Sequence, residues 1–264
     1  MRVVEPKVFL IGESVAVYGE EHGVTAYLNE IGVPSWTTNC PTHAEGLIET
    51  FGRGCYRSFQ PGLNPNVTKV REGNKEYIDN IIKQHHGSVF EHSTANFVFL
   101  HVSRIFTHEL VRHRVGTAIS QESLRFVRLD TLDFWIPPEI SDNPAALAIF
   151  ERALREDEAN QQELARVLDL NSPNMPFETK KKLTSAMRRI APEGLATMIG
   201  WTANFRTIRH VIEQRTDPSA EREIRLVFCK VADIVTKRYP NAFGDYQMED
   251  ADGLPWYHTF NSKI

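Results

Sequence analysis

ANFVFLHVSRIFTHELVRHRVG, residues 95–116, decides how this chain is read. Its first part, ANFVFLHV at 95–102, has the aromatic and β-branched bias of a strand. From Arg104 the apolar residues are Ile105, Phe106 and Leu110, at helical offsets, and this pattern predicts a helix to Arg114, before Val115-Gly116. A strand, a helix and a glycine loop therefore bring chemistry to one place. Arg112, His113 and Arg114 end the helix pattern, and Ser123 and Arg125 lie beyond the loop. Arginine suits phosphate and flat rings because its planar fork pairs bidentately and also stacks. The plainer alternative is a solvated helix end, where cations are favoured anyway.

Working outward, VFLIG at 8–12 predicts a short buried strand, and the Pro-, Gly- and Asn-rich stretch 35–73 predicts loops around one short helix near 44–51. Ile78, Ile81 and Ile82 predict a helix from Lys75 to His86, stopped by Gly87. Phe126 to Ile136 is strand-like and closed by Pro137-Pro138; 143–168 and 176–190 predict two amphipathic helices around NSPNMP. TMIGWTA at 197–203 predicts a strand, and Asn204 is suited to cap a helix running to about Gln214. Asp217-Pro218 predicts the start of a last helix with the stripe Ile224, Val227, Phe228, Val231, Ile234 and Val235. Helices and short strands mix without a βαβ repeat, which implies an α+β fold, helices packed on a sheet, in one domain over 1–264.

Composition narrows the function classes. The chain of 264 residues is 41% apolar, enough for a core, and it has neither an apolar run of about 18 residues nor a signal-peptide pattern. A soluble, cytoplasmic protein is the expectation, with no membrane partner. Three cysteines, Cys40, Cys55 and Cys229, make no disulfide or zinc framework. The net charge of −4 argues against coating nucleic acid. Arginine is nevertheless concentrated locally, five against two Glu in 104–128 and seven against five acids in 188–225, as a binder of small phosphate ligands requires.

Six of the ten histidines fall between 85 and 113, which suggests a metal. His108 and His113 are five apart, so on a helix their imidazoles diverge by roughly 140°, and the neighbouring Arg112 and Arg114 repel a cation. No metal ligand set is assigned. Cys229 sits in a helix pattern and reads as core, and neither Cys40 near His43 nor Cys55 between Arg53 and Arg57 has a diagnostic spacing for a thiol nucleophile. There is no Walker loop or Gly-x-Gly-x-x-Gly, so phosphates must be held by side chains and turns.

RHRVGTAISQESLR at 112–125 resembles the signature of the flavin-dependent thymidylate synthases, Arg-His-Arg, seven residues, Ser and an Arg two further on; here eight residues separate Arg114 from Ser123. HHGSVFEH at 85–92 is similar to that family's His-x-Ser/Thr-x-Phe-Glu-His block. Asn204, Arg206, His210 and Arg215, followed by AEREIR at 220–225, resemble its Asn/Arg helix and closing block, with Glu221 where the family has Gln. The likeness is strongest over 75–240, and residues 1–70 match poorly.

The resemblance implies a central twisted, largely antiparallel sheet flanked by helices, in a homotetramer. It implies that Ser88, Arg112, His113, Arg114, Gln121, Asn204, Arg206 and His210 bind FAD. The nucleotide dUMP falls to Glu109, Arg112, Gln121, Glu122, Ser123, Arg125, Arg188 and Arg215, with Arg189 an alternative to Arg188. Arg215 is implied as the catalytic group over the pyrimidine edge, and His86 as a second one near flavin and folate, although His86 reads equally as a helix-end histidine. Ser123 has no adjacent base and reads as a hydrogen-bonder. Gln121 stands where many relatives have Glu, which removes proton transfer there. The implied reaction methylates dUMP with methylenetetrahydrofolate and NADPH or NADH. A non-catalytic nucleotide or nucleic-acid binding module using both arginine patches, and a metal hydrolase, are the rival readings.

Overall fold

Every second residue is buried along Thr94–Ser103 and along Ala196–Asn204, the period of strands that lay one face on a core. A computed structural model describes residues 1–126, 131–262 and 264. β1 (Arg2–Val3), β2 (Lys7–Glu13), α1 (Val24–Glu30), α2 (His43–Tyr56) and α3 (Asn74–Lys83) come first. A 3-10 turn at Gly87–His92 leads into β3 (Thr94–Ser103), α4 (Arg104–Leu110) and β4 (Thr117–Gln121). Then come β5 (Asp133–Phe134), α5 (Pro138–Ser141), α6 (Pro144–Val167), α7 (Phe177–Met187), β6 (Ala196–Asn204), α8 (Phe205–Thr216), α9 (Arg222–Arg238), α10 (Pro240–Phe243), β7 (Gln247–Ala251) and β8 (Leu254–His258).

The main sheet has the order β2-β3-β6-β4, with each neighbouring pair antiparallel, as the resemblance implied. Phe97, Phe99 and Trp201 project from β3 and β6 onto Phe106 of α4 and Phe228 of α9. Each such ring, taken fully out of water, contributes about 1.5–3 kcal/mol. The α9 stripe is as predicted: Ile224, Val227, Phe228, Val231 and Val235 are buried and Ile234 packs against them.

Several elements differ from expectation. VFLIG is a strand, but β2 is the sheet edge, and Phe9 (45%) and Ile11 (67%) are exposed rather than buried. α2 is longer than 44–51 because Thr42 and Glu45 make a reciprocal cap: Thr42 Oγ1 accepts from Glu45 N at 3.3 Å and donates to its carboxylate at 2.8 Å. α3 stops before Gly87, since His85 takes the left-handed conformation (φ 55°) while His86 N reaches Ile81 O and His85 N reaches Ile82 O, each at 3.0 Å. α4 ends at Leu110, so Arg112–Arg114 lie in the turn beyond the helix. Residues 117–121, read as loop, form β4. Of the strand predicted over 126–136, residues 127–130 lie outside the described residues and Asp133–Phe134 is β5, parallel to β1. Asp217 does not start α9; it accepts from Ser219 N (2.8 Å) and Oγ (2.6 Å), and Glu221 caps the helix instead.

α4 is anchored by a buried carboxylate. Glu223, 2% exposed, accepts from Ser103 N at 2.6 Å and from the Ser103 hydroxyl, whose oxygen in turn caps Phe106 N at 3.0 Å. Burial pushes the Glu223 carboxyl up to about 7. The fold thus favours its protonated form, and this contribution is complete below 4.5 and lost as pH rises through about 7. Glu223→Gln keeps an acceptor and a donor for Ser103 and is expected to melt within a few degrees of wild type, with its pH slope removed. Glu223→Ala leaves Ser103 unpaired and should cost about 2–3 kcal/mol in denaturant unfolding.

Candidate active site

Asn204 ends β6 and caps α8, accepting from Thr207 N at 2.8 Å as the sequence predicts. Two further bonds tie this junction to the turn after α4: Asn204 N donates to Gly116 O (3.1 Å), and Thr207 Oγ1 donates to Val115 O (2.8 Å). Gly116 has φ 68°, and a Cβ there would stand 2.3 Å from Asn204 Nδ2. The glycine is thus required by both conformation and contact. Through this junction the Arg112–Arg114 turn and the first turns of α8 share one cavity of about 400 Å³, lined by Arg112, His113, Arg114, Asn204, Arg206 and His210. Six of the residues assigned to FAD therefore converge. The other two lie elsewhere: Ser88 joins His86 in an adjacent cavity of about 320 Å³ that also touches Arg206, and Gln121 on β4 donates to Thr107 Oγ1 at 3.2 Å.

His113 is the centre of the electrostatics. Its Nε2 accepts from Arg215 Nε at 2.8 Å, which places the imidazole proton on Nδ1, and Arg215 Nη1 donates to Glu109 at 2.7 Å. The ring meets His210 edge-on, with centroids 6.4 Å apart. Burial, then the charges of Arg215, His210 and Arg112, hold His113 down to about 4. The folded chain therefore stays neutral at His113 while the unfolded chain takes up a proton below 6.5, so stability present above 6.5 is lost as pH falls toward about 4. Melting curves from about pH 7 to about pH 5 should fall more steeply for wild type than for His113→Gln. Equal slopes would contradict a neutral, Arg215-bound His113.

The remaining candidates are placed as follows. His86 is exposed and stacks on Tyr56, with centroids 6.0 Å apart. Glu122 is engaged by β6, accepting from Thr197 Oγ1 (3.4 Å) and Met198 N (3.3 Å). Ser123 Oγ accepts from Arg125 N at 3.3 Å, and Arg125, Arg188 and Arg189 are exposed. Sequence reasoning assigned no role to Arg104. At the first position of α4 its Nη1 is buried without a partner, and burial, then the charge of Arg188, holds the guanidinium below its usual range. The available signal was its position at the strand-to-helix junction, where a side chain is fixed by two elements. Glu91, which pairs with Arg206 at 2.6 Å, was also missed.

His113 lies past the end of α4, so helical divergence is not what separates it from the exposed His108. Among the described residues no three His, Cys, Asp or Glu side chains group to hold a metal ion. The Cys229 thiol is buried as expected, donates to Pro255 O at 2.9 Å and is pushed up to about 11 by burial. No helix among the described residues is long and apolar enough to cross a membrane.

Fold and site together define an α+β protein that gathers guanidiniums and imidazoles from three chain segments around a cavity suited to an anionic, flat-ringed ligand. Residues 38–241 match the family described as Thymidylate synthase complementing protein. The chain is 33% identical over 222 residues to the flavin-dependent thymidylate synthase of Corynebacterium efficiens, covering 83% of this chain and 86% of that one. It is 34% identical over 218 residues to that of Mycobacteroides abscessus, covering 80% and 85%. The UMP/dUMP methylase PolB from Streptomyces cacaoi, bound with 5-Br dUMP, shares the fold with a TM-score of 0.62 at 16% identity, over 92% of this chain and 96% of that one. The chain belongs to the flavin-dependent thymidylate synthase family.

Proposed function

We propose that this enzyme methylates dUMP to dTMP, with methylenetetrahydrofolate as carbon donor and NADPH or NADH as reductant, through bound FAD. The observation that carries this reading is the chain Glu109–Arg215–His113 running from α4 to α8 beside the arginine-lined cavity. The residues fit a flavin dinucleotide. Arg112, Arg114 and Arg206 face one carboxylate, Glu91, already paired with Arg206, so the cavity is cationic as a diphosphate requires. Gly87 and Gly116 also keep it open, since a Cβ would come 2.9 Å from Arg206 Nε or 2.3 Å from Asn204 Nδ2.

When bound, the flavin supplies reducing equivalents drawn from the nicotinamide. The protein's part is electrostatic and positional. Arg215, oriented by Glu109 and His113, lowers the cost of negative charge developing on the uracil ring. His113 stays neutral and leaves that positive charge undiluted. The nucleotide phosphate falls to Arg125, Ser123 and Arg188, joined by Arg104, whose unpaired Nη1 is an unused donor near Arg188. Arg104→Ala should raise KM for dUMP about tenfold or more with kcat changed little. His86, exposed at the second cavity, is assigned to the flavin and folate side.

A homotetramer in the cytoplasm is the assembly and place that accord with these features. Phe9, Ile11, Val15, Val17 and Tyr18, each between 45% and 67% exposed, form apolar surface that another subunit would cover. The decisive experiment is optical. Purified protein, supplied with FAD, should show an oxidised-flavin spectrum that bleaches on adding NADPH without oxygen and recovers in air. A colourless protein that takes up no flavin overturns the proposal.

A further inference from the structure

The C-terminal segment lies beyond residues 38–241, the stretch that matches the family, and yet it reaches the cavity assigned to FAD. Ser262 and Ile264 line that cavity beside Arg206 and His210. Ile264 is 4% exposed and packs into the main core, so this is a seated contact and not a trailing end. Gly87 records the closeness, because a Cβ there would come 2.8 Å from the Ile264 carbonyl carbon as well as 2.9 Å from Arg206 Nε. Ser262 also borders the neighbouring cavity that contains His210 and Arg215.

The segment is held to the ligand-bearing helix by one carboxylate. Asp245 accepts from Thr259 Oγ1 (2.7 Å) and Asn261 Nδ2 (3.1 Å), and forms a two-pronged pair with Arg209 at 2.6 and 2.7 Å. Arg209 is 2% exposed and sits in α8 directly before His210 and three residues after Arg206. A buried fork of this kind fixes orientation as well as distance. The tail and the arginine–histidine face of α8 are thereby locked in register.

We infer that this segment is a wall of the flavin site, with Ser262 and Ile264 contacting bound FAD and Asp245 a positioning residue that sets them against Arg206 and His210. The inference rests on the FAD assignment of the cavity. An apolar side chain and a hydroxyl between cationic groups give a flat ring a dry contact and a hydrogen-bonding edge, a combination the arginines alone do not provide.

The test is titration of flavin-free protein with FAD, followed by absorption and by melting temperature. Ser262 is exposed, so Ser262→Trp should weaken FAD binding about tenfold or more while the flavin-free melting temperature stays at the wild-type value. Asp245→Asn should weaken it similarly and shift the flavin absorption bands, with Asp245→Glu restoring part of both. Wild-type affinity and bands in both Ser262→Trp and Asp245→Asn overturn the inference alone. Failure of the wild-type protein to bind FAD overturns the cavity's assignment, and this inference with it.

Discussion

Arg215→Ala is expected to lower kcat for dTMP formation by about 10²–10³-fold while FAD remains bound within a few-fold of the wild-type affinity. Arg215 lines the cavity adjoining the arginine-rich one and is held on both sides, Nε on His113 and Nη1 on Glu109, with 20% of its side chain exposed. Its loss removes the positive charge proposed to face the pyrimidine and leaves Glu109 without its partner. It also removes one of the charges that hold His113 down, so the imidazole should titrate at higher pH in the variant. Arg215→Lys keeps the charge but replaces a planar fork with a point donor, and is expected to recover only part of the rate. Flavin titration and single-turnover rates check this together. Loss of flavin with the rate per bound flavin unchanged would mean that Arg215 belongs to the cofactor and not to the pyrimidine.

Gly116→Ala is expected to damage the site through backbone geometry. At φ 68° an L side chain costs about 1–2 kcal/mol, and the new Cβ would meet Asn204 Nδ2 at 2.3 Å and Thr207 Oγ1 at 2.7 Å. Displacing Asn204 threatens the α8 cap, worth about another 1 kcal/mol. Together these predict a fall in melting temperature of about 5–10 °C, with FAD affinity reduced at least about tenfold because Asn204, Arg206 and the Arg112–Arg114 turn share that junction. Gly253 is the control. It has φ 73° with nothing within 4 Å of an added Cβ, so Gly253→Ala should show the conformational cost alone and leave FAD binding untouched. Equal effects at both positions would remove the contact argument.

The cap at Asn204, the strands around 95–102 and 197–203 and the α9 stripe were legible because each depends on residues within one or two turns of each other. The Asp252-Gly253 pair was legible in principle as well. Both residues have positive φ (55° and 73°) and join β7 to β8, as a tight hairpin requires, but the tail was left unread. The end of α3 was misplaced for a different reason. A glycine stop was expected at Gly87, whereas His85 supplies the left-handed residue and Gly87 is needed for its lack of a Cβ against Arg206 and Ile264.

What the sequence determined by itself was local: which segments alternate, which are amphipathic, where a helix is capped, and that three arginine- and histidine-bearing blocks of a known family stand in order. Tertiary structure alone decided which of those groups meet. Arg215 reaches His113 across 102 positions, Arg206 reaches Glu91 across 115, and the Asp245 fork brings the tail to α8. Only the fold could show that Arg104 is buried with an unpaired nitrogen and that β2 is an edge strand. The reason is physical: a side chain's charge state and partner depend on desolvation and on neighbours a few ångströms away, and chain separation carries no information about either until the sheet and its helices close.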